Sequence, residues 1–112
     1  MVFIEKIKLQ STGKEPTYIN IKDEVADIIS KSGVKNGICA VMSPHTTCSV
    51  FFEEYSHDTD QNGVEFLQLD LNNALEKIIP RHKDAESYIY PGEEHYKAVE
   101  SWPNASDYQI GR

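Results

Sequence analysis

His45, Thr46 and Thr47 stand between two strongly apolar runs, and Glu53, Glu54, His57 and Asp58 follow them closely. An imidazole titrates near neutral pH, while adjacent hydroxyls and backbone amides supply hydrogen bonds suited to a phosphate or carboxylate. Such a set can hold an anion while the histidine moves a proton. Pro44 confines Ser43 to extended geometry and brings no amide donor, so it can end the preceding strand-like run and fix the backbone that carries His45. His45 is then expected at a sheet rim. The same residues allow a second chemistry, because His45 with Glu54, His57 or Asp70 could ligate a divalent metal such as zinc, manganese or magnesium. A third reading is purely structural: His45 caps a turn and the two threonines are strand residues.

The acids after the threonines read first as a solvated loop leading into a helix, with Asp58 or Asp60 at the N-cap or against the helix dipole. Glu54 differs from Glu53 in one respect. Successive residues of a strand face opposite ways, so only one of the pair can share the side of His45. His82 lies in a polar stretch and is expected to be exposed; His95 opens a short helical pattern and is expected at the surface or in packing. Tyr88, Tyr90, Tyr96 and Trp102 read as the hydrophobic cover of the tail, although the same rings could stack on a flat ligand.

The elements that must position these groups follow from periodicity. Apolar residues at Phe3, Ile4, Ile7 and Leu9, with charges between, fit a half-buried strand, and the stretch from Gly13 to Pro16 breaks it. A short strand over 17–21 leads into a helix on which Ile21, Val25, Ile28 and Ile29 share a face, with Asp23 and Glu24 in its first turn and Gly33 as its stop. GICAVMS and TCSVFFEE, β-branched and aromatic, read as two further strands joined by SPHT. Val64, Leu67, Leu71, Leu75 and Ile78 recur at three and four residues and define an amphipathic helix ending near Pro80, with Asp70 at the edge of its apolar stripe. Beyond it come a loop with a short extended piece over 88–90, a helical turn or two over 93–100, and a loop-forming tail. Strands followed by helices suggest an α+β domain, a mainly antiparallel sheet with helices on one side. Four short strands leave sheet edges open, and the last strands of the sheet are missing from the count.

Composition narrows the field of functions. A chain of 112 residues fits one domain, over 1–112, with a single core. Its 11 Lys and Arg against 18 Asp and Glu give a formal charge of -7, which argues against a nucleic-acid partner bound by phosphate neutralisation. No stretch approaches the roughly 20 apolar residues that span a membrane, and MVFIEKIKLQ lacks the design of a signal peptide, so the cytoplasm is the expected compartment. Cys39 and Cys48 lack a C-x-x-C spacing; two buried free thiols are expected, with neither a disulfide framework nor a thiolate zinc site.

SGVKNG, a strand, PHTT, a strand ending in an acid pair, and LDLNNALEKIIP occur here in that order, and this order resembles the YjbQ-like family, often labelled secondary thiamine-phosphate synthases. The tract YIYPGEEHYKAVESWPNA resembles a longer branch of the same family. The resemblance implies a homotrimer of β-sandwich-like α+β subunits, a pocket at or near subunit contacts, and formation of thiamine phosphate from small phosphorylated pyrimidine and thiazole-type substrates. His45, Thr46 and Thr47 match the family's HTT motif, Glu54 its acid after the second strand, and Asp70 its helix acid. The resemblance thus casts His45, Glu54 and Asp70 as catalytic, Thr46 and Thr47 as phosphate-binding, and a divalent metal as a candidate cofactor. Family members continue into a segment resembling D-A-H-L-K-A and closing strands; this chain reaches Gly111 and Arg112 without them. It is therefore read as an N-terminal portion of a family member, truncated and catalytically incomplete. The competing expectation is a non-catalytic trimer that binds a small anion or a metal, since no nucleophile constellation is present.

Overall fold

Where apolar residues recur every three or four positions, the chain coils into helices that close their own hydrogen bonds. A computed structural model describes residues 1–13, 15–84 and 86–108, and its helices are α1 (Lys22–Ser32), α2 (Phe66–Ile78) and α3 (Glu93–Val99), followed by one 3-10 turn over Ala105–Tyr108. Compact packing divides the chain into two units, Met1–Gln68 and Leu69–Arg112, with the boundary inside α2.

In the first unit, α1 forms as the sequence predicts. Ile21, Val25 and Ile28 half-bury one face, Asp23 and Glu24 sit in the first turn, and Gly33 ends the helix in the left-handed region at φ 68°. The Asn20 side-chain oxygen accepts the Lys22 N–H at 3.0 Å, and Asp27 pairs with Lys31 one turn on at 2.6 Å. Helix α2 starts two residues later than the periodicity suggests. The cause is a tight loop: Thr59 and Glu65 form an isolated antiparallel bridge, and the Phe66 N–H donates to the Asp58 carbonyl at 3.0 Å. Asp60, with Asp58 a candidate for the N-cap or for the helix dipole, sits in this loop. Its Oδ1 accepts the amides of Asn62 at 2.8 Å and Val64 at 3.0 Å, and Gly63 turns the chain at φ 80°.

The second unit holds the fully buried side chains. Tyr96 and Val99 of α3, at 4 % and 0 % exposure, are buried together with Pro91, which follows a cis peptide bond from Tyr90. In the same unit Tyr88 Oη donates to the Pro80 carbonyl, Arg81 pairs with Glu76, and His95 packs its ring against Tyr90 and Tyr96. His82, expected to be exposed, is half-buried against Tyr88. Of the four aromatic residues expected to cover the tail, Tyr96 is buried, whereas Tyr88, Tyr90 and Trp102 remain exposed. Residues 88 and 89, within the piece expected to be extended over 88–90, bend instead. The end of the tail, with the expected stop at Gly111 and Arg112, lies outside the described residues.

The expected α+β sheet is the main correction. Among the described residues there are three α-helices and no strand, so the antiparallel, β-sandwich-like sheet with helices on one side is not the architecture. The runs 3–9, 17–21, 37–43 and 47–54 are not assembled into ladders, and most of their apolar side chains are open: Ile38 is 99 % and Phe52 is 105 % exposed. The physical reason is that β-branched and aromatic residues favour a pleated, half-buried surface only once a neighbouring strand supplies it. A helix needs no such neighbour. Cys39 and Cys48, placed in the core by the sequence reading, share the exposure of these runs as free thiols. No helix among the described residues is long and apolar enough to cross a membrane.

Candidate functional site

The break predicted at Pro44 is a tight turn closed by its own residues. The His45 carbonyl accepts the Cys48 N–H at 3.2 Å, which puts Thr46 and Thr47 at the turn's centre. The Ser43 Oγ accepts the His45 N–H at 3.3 Å. Inside the turn, the His45 Nδ1 accepts the Thr47 N–H at 3.2 Å and lies 2.9 Å from the Thr47 Oγ1. The imidazole therefore does what an Asp or Asn side chain often does, taking the amide two residues on. All of these residues are exposed. Thr46 sits at the tip, and among the described residues neither its N–H nor its hydroxyl has a protein partner.

Of the five residues singled out from the sequence, the structure joins His45 to Thr47 through hydrogen bonds and holds Thr46 between them. Glu54 is exposed in the extended run after the turn, and no hydrogen bond or ion pair joins it to His45 among the described residues. Asp70 is exposed on α2 in the second unit. His57, an alternative metal ligand, takes a positive φ of 69° and rests its ring on Tyr55 at 4.4 Å. No cluster of three or more His, Cys, Asp or Glu residues suited to a metal occurs among the described residues.

A second polar region was not found from the sequence. Glu53, read as a solvated acid, accepts a hydrogen bond from Gln68 Nε2 at 2.9 Å, tying the extended run to the start of α2. Beside it a cleft of about 310 Å³ is lined by Thr12, Thr17, Tyr18, Asn62, Gly63 and Gln68, among others. The Thr12 and Thr17 hydroxyls lie 3.1 Å apart, and Tyr18 turns its ring edge-on to Phe51 at 6.2 Å. Burial pushes the Tyr18 phenol upward, and the nearby Glu53 carboxylate adds to the shift. The only sequence signal was a pair of threonines flanking a Gly and Pro break, and that signal also describes an ordinary loop.

The chain matches the UPF0047 protein YjbQ-like family over residues 5–104 and belongs to that family. No curated protein and no solved structure matches it.

Proposed function

We propose that this YjbQ-like protein binds a small phosphorylated molecule at the SPHTT turn, and that in the family's reaction this is the phosphorylated partner in thiamine-phosphate formation. The observation that carries the reading is the turn itself. It leaves the Thr46 N–H, the Thr46 hydroxyl and the outer nitrogen of His45 without protein partners within two consecutive residues. Hydrogen-bond donors gathered in one exposed turn suit a phosphate oxygen, and an imidazole beside them can also transfer a proton. Thr46 is the phosphate contact in this proposal, and Thr47 supports His45. Glu54 and Asp70 remain proposed catalytic residues by the family resemblance, and a divalent metal such as zinc or magnesium a proposed cofactor. A homotrimer and a cytoplasmic location belong to the same proposal. Light scattering tests the trimer, and a monomeric mass across micromolar concentrations removes it.

The direct test is thiamine-phosphate formation by the purified protein and its His45→Ala variant. Loss of about 10²-fold or more in rate is expected if His45 handles the proton; equal rates remove it from the mechanism. A second reading, a binding protein without turnover, draws on the exposure of the turn and its lack of a contact to Glu54. Saturable phosphate binding lost in His45→Ala, with no product formed, would select that reading.

A further inference from the structure

The Thr47 contacts carry more than the proposed function uses. A backbone N–H can only donate, so the Thr47 amide at 3.2 Å requires a bare, accepting Nδ1 on His45. The Thr47 hydroxyl, 2.9 Å from the same nitrogen, is then also a donor to it. In the neutral ring the single proton must sit on Nε2. From this we infer that Thr47 is a positioning residue. It holds His45 in the Nε2–H tautomer, so that His45 meets its ligand as a hydrogen-bond donor to an anionic oxygen. The inference rests on the proposal that the turn is the ligand site, and it narrows the chemistry of that site.

The arrangement is the reverse of the one a metal ligand needs. A histidine that ligates through Nε2 ordinarily donates its Nδ1–H to a carbonyl or carboxylate, which keeps the Nε2 lone pair free. Here Nδ1 accepts from two donors and Nε2 carries the proton. The same logic applies to a general base, which would need a lone pair where the proton now is. A neutral hydrogen-bond donor needs nothing rearranged, whereas giving the proton away would leave an imidazolate unless Nδ1 first let go of the Thr47 donors and took a proton. An acceptor satisfies the outward N–H, and with the Thr46 N–H and hydroxyl beside it a phosphate or carboxylate oxygen, which only accepts, suits the site.

Long-range proton–nitrogen correlation spectra of the isotope-labelled full chain, at a pH where the ring is neutral, read the tautomer directly. The wild type is expected to show one tautomer, with a bare Nδ1 and a protonated Nε2. Thr47→Val keeps the amide but removes one of the two donors that hold Nδ1, so the ring is expected to leave the amide for part of the time, admit the other tautomer in that fraction, and narrow the separation between the two ring nitrogens. Thr47→Ser is expected to restore it. Inorganic phosphate should move the Nε2 resonance, with about threefold to tenfold weaker binding in Thr47→Val. A protonated Nδ1 in the wild type, or identical ring spectra for wild type and Thr47→Val, would overturn the inference. A single Nε2–H tautomer and phosphate binding that depends on Thr47, found together with no thiamine-phosphate formation, would sink the enzymatic reading and leave the inference standing.

Discussion

Two tight turns of the first unit use the same device to different ends. In one, the Asp60 carboxylate accepts the amides of Asn62 and Val64; in the other, the His45 imidazole accepts the amide of Thr47. The carboxylate turn is part-buried, closes the bridge between Thr59 and Glu65, and delivers the chain into α2. The imidazole turn is exposed and delivers the chain into no helix. What separates them is the acceptor. An imidazole has a second nitrogen on the far side of the ring, and fixing the first aims the second outward. One turn stabilises a fold, whereas the other orients a reactive atom.

Exchanging the roles should therefore fail in both directions. His45→Ala is expected to weaken inorganic-phosphate binding about tenfold while shifting the unfolding midpoint little, a contrast read from titrations and denaturant curves on the same samples. Asp60→Ala should do the opposite. With two amides left unpaired at a part-buried loop, it is expected to destabilise the first unit by about 2 kcal/mol, visible as faster hydrogen exchange at Val64, with His45 chemistry intact. Asp60→Asn keeps an accepting oxygen and should recover most of that loss. Gly63→Ala sharpens the point, because a Cβ there meets no atom within 4 Å and its cost comes from φ 80° alone, about 1 kcal/mol by equilibrium unfolding.

The smallest effect belongs to a third Asp turn, in the second unit. Ser87 Oγ donates to Asp84 at 2.8 Å and the Glu86 N–H adds a second bond, which holds the Asp84 carboxyl below its ordinary range. A lowered value means that the turn is at full strength above the ordinary carboxylate range and weakens as pH falls through the depressed value. The group is fully exposed, so the change should be local: faster exchange of the Glu86 amide in acid, removed in Ser87→Ala. Exchange at Glu86 that ignores pH would show that the turn does not depend on the charge.

The sequence disclosed what closes locally. The stripe through Val25 and Ile28, the acids at Asp23 and Glu24 and the stop at Gly33 all lie within the three turns of one helix, and α1 matches the reading almost residue for residue. Pro44 likewise marked the break that became the His45 turn. The failed expectations needed information from farther along the chain. GICAVMS and TCSVFFEE have strand-forming residues, but a ladder requires a partner that composition does not name. Asp58 and Asp60 are equal candidates in the sequence to cap or face the helix, and the bridge between Thr59 and Glu65 decides that Asp60 closes the loop instead. Thr47 is legible in the sequence as a hydroxyl beside His45, but the direction of its donors, both toward the ring, is set by the turn and not by residue type.

The His45 turn is also self-contained. Its hydrogen bonds all begin and end between Ser43 and Cys48, with no helix, core residue or second segment needed to close them. A device of that kind is portable. Six residues grafted into an exposed loop of an unrelated, rigid host would carry an aimed imidazole with them, making the turn a module that can be moved between proteins without its original scaffold.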